Sequence, residues 1–526
     1  MAILSGILQV VIFPSPSLYF LCWIAVAPLI IAVLRARDQD AVQLLAEGGS
    51  SYLAPASLRQ GFLLGYASGV VWYLGSCYWI YHTMHVYGGL NSFVSVILLI
   101  LFALYLGLYH GLFGILLALS ARKRQGYSLR ALVLAPFLWV SVELARAYIT
   151  GFPWNLLGTA QVNNVPLARI STFTGVYGLS FEIALVNAAF AAAALVARRG
   201  RATMLIAALC ASVGLQIWQL VPMQVPPPDH YATLLQANLP LNDVRWDEQK
   251  ETDILADLGR FSITPRNATA DNPGLIVWPE APAPFFVTDY HFRATMTQIA
   301  HDTHSYIIAG SLGIENTGRE DMQPDLFNSA VVITPDGKWT ARYDKNHLVP
   351  FGEYIPFQSL LSFAKSLTHD VGSFKAGHDR KLLNLGKYQA GTFICYESIF
   401  PHEVRLFADN GADLFVNISD DGWYGDTSAP GQHLNMARMR AIENNRWLIR
   451  ATNTGITASV DPYGRVVISA PRNVRAYMEA PYAYITEKTF YTEHGDWFPI
   501  TCVIISLLAL IVRQRPVAQV TQPQPV

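Results

Sequence analysis

The chain of 526 residues is 52% hydrophobic and only 14% charged, with a formal net charge of -1. Soluble domains carry about 25% charged residues, so the composition points to membrane residence, and the near-neutral balance excludes the basic field of a nucleic-acid-binding protein. Of the five cysteines, Cys22, Cys77, Cys210 and Cys502 lie in apolar stretches and Cys395 stands alone in polar sequence, which excludes a disulfide framework and a clustered zinc site; no metal and no cofactor is expected.

A helix crosses the hydrocarbon core with roughly 17 to 25 apolar residues. The opening stretch 3–13 is too short to span alone and is expected as a half-inserted first helix. Spans are predicted over 17–34, 61–81, 93–120, 131–148, 172–197 and 202–221, with a short last one at 497–512. This makes about eight membrane helices, about seven of them in a bundle over 1–222 and one at 497–513. Glu143, Arg146 and Glu182 are ionisable groups inside these runs, and the i,i+3 spacing of Glu143 and Arg146 suggests that they neutralise each other.

Positive residues alternate between the connections. Arg35, Arg37 and Arg59 flank one; Arg122, Lys123, Arg124 and Arg130 fill another; Arg198, Arg199 and Arg201 a third; Arg513 and Arg515 follow the last helix. The connections 14–16 and 82–91 have no Lys or Arg. Positive loops stay cytoplasmic, so the C-terminus is expected inside and the block between residues 221 and 497 outside.

That block opens after Pro226-Pro227-Pro228 and is rich in Asp, Glu, Asn and Gly. Residues 229–493, about 265 in all, suffice for one α/β domain with its own core. Strands are predicted at 231–235, 275–278, 306–309, 329–334, 392–395, 414–418, 448–451 and 457–460. Helices are predicted at 247–261, 291–303, 402–410 and 432–445. The alternation argues for a layered α/β fold.

Three segments present a reactive side chain where a buried strand breaks into polar residues: Leu275-Ile276-Val277-Trp278-Pro279-Glu280, the run from Tyr343 through Lys345 to Glu353, and Thr392-Phe393-Ile394-Cys395-Tyr396-Glu397. A thiol is a weak nucleophile until it loses its proton, and a neighbouring carboxylate can remove it. Glu280 is the candidate base for Cys395. Attack on an acyl carbonyl creates a tetrahedral oxyanion, which the Lys345 ammonium and the amide after Cys395 would stabilise. Simpler structural readings are a buried core thiol at Cys395, a surface ion pair of Glu280 with Lys345, and packing roles for the tryptophans. Yet a lone thiol in an oxidising compartment is a liability unless its reactivity is used.

The order Glu, Lys, Cys at strand ends resembles the nitrilase superfamily. Within it, Trp278-Pro279-Glu280, the stretch from Lys345 to Glu353, Cys395-Tyr396-Glu397 and Asp421-Gly422-Trp423-Tyr424-Gly425 are similar to the apolipoprotein N-acyltransferases. Further echoes are Arg245-Trp246-Asp247-Glu248, Gly151-Phe152-Pro153-Trp154 and the run from Met436 to Ala441. The resemblance implies a four-layer αββα sandwich inserted in a multi-pass membrane bundle, in a bacterial inner membrane with the catalytic part in the periplasm. It implies that Cys395 takes the sn-1 acyl chain of a phospholipid, phosphatidylethanolamine for choice. The thioester then passes the chain to the N-terminal amine of a diacylglyceryl-cysteine apolipoprotein. Glu353, Glu397 and Asn328 are then supporting residues around Lys345 and the thiol, and Trp246, Tyr396 and Trp423 line the path of the substrate. Segments 351–372 and 420–427 are expected as lids over the thioester, and the protein as a monomer. Two other readings stay open: a membrane-tethered amidase in which water resolves the thioester, and a noncatalytic scaffold that binds lipoproteins.

Overall fold

The computed structural model describes residues 1–37, 52–122, 128–196, 198–214, 217, 225–241, 247–263, 273–315, 324–354 and 374–512. Trp246, Lys123, Arg124, Arg513, Arg515 and most of the 351–372 lid segment lie outside the described residues.

Among the described residues, three helices are long and apolar enough to cross a membrane: Ser92–Ser120, Arg130–Thr150 and Val176–Leu195. About eight were expected; the 202–221 run lies partly outside the described residues, and others fall short for local reasons. The 17–34 run is split into a 3-10 turn, Tyr19–Leu21, and helices Cys22–Ala25 and Ala27–Leu34, with Pro28 opening the last, a position where the missing N–H costs least. Leu58–Ser76 forms as a 19-residue helix, but Arg59, Gln60 and its glycines dilute its apolarity. Ala2–Val11 and Trp497–Val512, at 10 and 16 residues, are short. Close helix approach holds the bundle together: a Cβ on Gly65 would collide with the His110 carbonyl of the facing Ser92–Ser120 helix, so only glycine lets the two backbones meet there.

The described residues of the remaining chain build twelve strands: β1 (His230–Gln236), β2 (Gly274–Val277), β3 (Ser305–Glu315), β4 (Asp325–Ile333), β5 (Trp339–Asp344), β6 (Leu383–Leu385), β7 (Tyr388–Ile394), β8 (Leu414–Ser419), β9 (Leu448–Thr452), β10 (Ala458–Val460), β11 (Val466–Ser469) and β12 (Ala476–Tyr482). They form two six-stranded sheets, ordered β12-β1-β2-β3-β4-β5 and β11-β10-β9-β8-β7-β6. The centre of each is parallel, β1-β2-β3 in one and β7-β8-β9 in the other, and the flanking strands are antiparallel.

Side-chain alternation explains the four layers. Leu234, Leu275, Val277, Ile308, Ala330 and Val332 share one core with Phe393, Phe415 and Ile449 of the second sheet, whereas their neighbours Leu235, Ile276, Ile307, Ala309 and Val331 join Ile254, Leu258, Phe292 and Met296 of the helices Glu248–Ser262 and Tyr290–Thr303. Successive strand residues point to opposite faces, so every central strand must be apolar on both. The helices Pro401–Asp409 and Ala429–Asn444 belong to the second sheet's side, and the four predicted helices fall within a few residues of those observed. β5, β6, β11 and β12 were not anticipated: Thr340-Ala341-Arg342 and Glu479-Ala480-Pro481 mix polar, small and ladder-breaking residues, as edge strands allow.

Candidate active site

The site lies where strands of both sheets end. β2 stops at Val277, and Pro279, which has no N–H for the ladder, turns the chain so that Glu280 projects from the strand end. The neighbouring strand makes room, since a Cβ on Gly310 would strike the backbone of Pro279, Glu280 and Ala281. Lys345 follows the last residue of β5, and its own N–H donates to the Asn328 carbonyl of β4 at 2.8 Å. On the second sheet, β7 ends at Ile394 and Cys395 opens a 3-10 turn with φ +50°, in the left-handed region that side chains rarely adopt.

The first-sheet residues form a closed charge cluster. Lys345 Nζ lies 3.3 Å from Glu280 Oε1 and 2.9 Å from Glu353 Oε1. The Asn328 amide donates to the same two oxygens at 2.7 and 2.8 Å. Lys345 is 1% exposed and Glu280 7%, so this is no surface ion pair. Burial alone would lower the Lys345 pKa, but the charges of Glu280, Glu353 and Cys395 outweigh it and hold the ammonium well above the usual lysine value. The outer oxygens are tied to backbone: Glu280 Oε2 accepts from Asp420 N and Glu353 Oε2 from Val349 N, both at 2.7 Å. The first of these bonds joins the two sheets, because Asp420 directly follows β8.

Cys395 is buried, and burial pushes its thiol well above the ordinary range; the Glu280 charge adds to the rise and Lys345 opposes it. Both partners thus act on the sulfur electrostatically. A thiol in such surroundings can act as a nucleophile only once its proton is removed. Glu397 is a brace. Its Oε1 accepts from Tyr343 Oη, Asn346 N and His347 N at 2.7, 2.7 and 3.1 Å, and its Oε2 from Ile394 N at 2.7 Å. One carboxylate therefore fixes the loop after Lys345 and the strand end before Cys395. Burial raises the Glu397 pKa and these donors, with Lys345, pull it back.

The expected path-lining residues separate. Tyr396 is buried and its hydroxyl donates at 3.0 Å to the Gly151 carbonyl, in the Gly-Phe-Pro-Trp loop that follows the helix Arg130–Ala145 and its π turn Arg146–Thr150. Trp423 is 47% exposed and meets Tyr87 edge-on at 5.7 Å, with its carbonyl accepting from Thr83 Oγ1 at 2.8 Å. Trp154 of the same loop is buried and donates to Gln432 Oε1 at 2.7 Å. Glu143 and Arg146 do not turn to each other: Glu143 Oε1 accepts from Leu157 N at 2.7 Å, and Arg146 donates to Tyr73 Oη and the Trp154 carbonyl at 3.0 and 3.1 Å. They clamp both sides of the loop that touches Tyr396. The 420–427 lid segment is ordered at its start, where Asp420 and Asp421 are buried and Asp421–Tyr424 is a 3-10 turn.

Sequence reasoning placed Asp421 in a motif but missed its partners His433 and Arg450. His433 Nδ1 lies 2.8 Å from Asp421 Oδ1, Arg450 Nη2 donates to both Asp421 oxygens at 2.9 and 2.8 Å, and all three side chains are fully buried. Arg450 overcomes the burial cost and holds the Asp421 carboxyl far below its usual range, with His433 helping. Arg450 sits in the strand Leu-Ile-Arg-Ala-Thr, where a charge flanked by apolar residues was the available signal. Among the described residues no group of three or more His, Cys, Asp or Glu is arranged to hold a metal ion.

Residues 5–189 match the apolipoprotein N-acyltransferase N-terminal domain family and residues 232–485 the carbon-nitrogen hydrolase family. The chain is 35% identical to the apolipoprotein N-acyltransferase of Geobacter metallireducens, over 96% of this chain and 92% of that one. It is 33% identical to that of Pseudomonas syringae pv. tomato, over 87% and 90%. Among solved structures, a variant of the Nesterenkonia AN1 amidase from the nitrilase superfamily matches with 20% identity and a TM-score of 0.36, over 52% of this chain and 97% of that one.

Proposed function

This chain belongs to the apolipoprotein N-acyltransferases, and from that premise we propose that Cys395 carries an acyl chain from a phospholipid to the N-terminal amine of a diacylated apolipoprotein. Glu280 takes the thiol proton, and the sulfur attacks the sn-1 ester carbonyl. Lys345 Nζ and the Tyr396 N–H receive the oxyanion. Collapse expels the lysophospholipid oxygen, which takes the proton from Glu280, and leaves a thioester. The acceptor amine then attacks this thioester, Glu280 accepts its proton, and the returning thiolate is reprotonated. Two steps replace one difficult transfer, and ping-pong kinetics follow. Glu353 and Asn328 keep Lys345 and Glu280 in register, Glu397 braces the strand end beside the thiol, and Tyr396 and Trp423 border the lipid path with Trp246.

The observation carrying this reading is that Glu280 and Lys345, buried and 3.3 Å apart, both act on the Cys395 sulfur. The arginine alternation supports an inner-membrane location with residues 229–493 in the periplasm, the flanking segments 1–222 and 497–513 in the membrane, and a cytoplasmic C-terminus. The proposed steps draw only on groups of this one chain. Mass spectrometry of the full-length protein in detergent tests the chemistry. After exposure to phosphatidylethanolamine, intact enzyme should gain one acyl mass on Cys395 and discharge it to a diacylated lipopeptide. Release of free fatty acid alone, or an adduct that persists in Cys395→Ala, overturns the proposal.

A further inference from the structure

We propose that His433 is a positioning residue that aims the oxyanion hole by holding the Cys395–Tyr396 peptide from behind. The inference rests on the thioester reading above. His433 Nε2 lies 3.0 Å from the Cys395 carbonyl oxygen. A carbonyl only accepts, so Nε2 carries the hydrogen. That carbonyl and the Tyr396 N–H belong to one planar, trans peptide unit, so they point in opposite directions. Pulling the oxygen toward His433 therefore turns the N–H away from the ring, on the side where an oxyanion hole must offer it.

The hold is needed because Cys395 sits at φ +50°, a conformation that a side chain makes unfavourable and that persists only when surroundings enforce it. The ring itself has little freedom. Asp421 fixes Nδ1 at 2.8 Å, and Arg450 Nη2 lies 3.1 Å from the same nitrogen while gripping Asp421. Ser419 donates to Asp421 at 2.9 Å, and Trp154 stacks on the imidazole with centroids 5.8 Å apart. Ser398 Oγ is a second neighbour of Nε2, at 2.7 Å. Asp421, His433 and Arg450 thus form a buried rod that ends on the peptide bearing the nucleophile.

Two variants separate this role from general packing. The amide nitrogen of glutamine reaches about as far as Nε2, whereas that of asparagine stops near Nδ1. His433→Asn should keep the Asp421 contact and lose the grip on Cys395, slowing acylation by phospholipid on the order of a hundredfold, as for loss of one oxyanion donor, with KM unchanged. His433→Gln should recover most of the rate. Alkylation of Cys395 by iodoacetamide passes through no oxyanion, so it should proceed at the wild-type rate in both. Ser398→Ala should acylate as the wild type does. Wild-type acylation by His433→Asn, alkylation that falls in step with acylation, or a Ser398→Ala loss equal to that of His433→Asn overturns the inference alone. Absence of any acyl adduct on the wild type overturns the underlying thioester reading as well.

Discussion

The two sheets supply unlike halves of one site. The first brings Glu280, Lys345, Glu353 and Asn328, whose polar atoms meet directly and share two carboxylate oxygens. The second brings the thiol on a backbone that Asp421, His433 and Arg450 hold rigid, in a network that is buried and closed. Both are dense in buried charge, yet under the proposed mechanism one changes state during the reaction and the other stays fixed. The difference teaches that burial and ion pairing do not by themselves mark a catalytic group; what matters is whether a group's partners leave it a reacting atom to face.

Substituting across that divide should separate rate from stability. Glu280→Gln keeps an oxygen for the Asp420 N–H but cannot take a proton, so the rate of Cys395 acylation should fall by about 10² to 10⁴, while the thermal midpoint falls less than in Arg450→Met, because Glu353 still pairs the Lys345 ammonium. Arg450→Met should do the reverse in character. It leaves the Asp421 carboxylate buried without its cation, a change that destabilises by about 3–5 kcal/mol, read as a lowered melting temperature in detergent. If Arg450→Met melts as the wild type does, the second network is not the rigid member of the pair.

The smallest effect concerns Asp420, which sits on the seam between the halves. Burial lifts its carboxyl from 3.8 to about 7, against the Gly422 N–H and with the Glu280 charge adding to the rise. The folded protein therefore binds this proton more tightly than the unfolded chain. The resulting stabilisation is complete below pH 3.8 and is lost as pH rises through about 7. Asp420→Asn should flatten that decline in a series of melts between pH 4 and 7; an unchanged slope would show that Asp420 does not couple the two clusters.

Much of this was legible in the chain. Eight of the twelve strands were readable because central strands buried on both faces leave unbroken apolar runs, and Glu280, Lys345 and Cys395 were readable because each ends such a run in polar residues. Asn328 and Glu353 were recoverable from resemblance: Glu353 accepts from the Lys345 ammonium, and the Asn328 amide donates to the two carboxylates that hold it. His433 was not, since a histidine in a helix with no metal-ligand spacing carries no local sign of the peptide it will meet 38 residues away in sequence. Glu143 and Arg146 show a related limit: helical spacing was enough to foresee that their charges attract, but not that folding would give each its hydrogen bonds in the loop between Gly151 and Leu157.

Composition, hydrophobic runs and strand-end motifs by themselves determined that this is a membrane protein with a layered α/β unit and three reactive residue types, because those features depend on local polarity and period. Tertiary structure alone decided which charges meet Lys345 and which hold the backbone beside Cys395. Those roles depend on distances of about 3 Å between residues far apart in sequence, where Coulomb energy and hydrogen bonding change steeply.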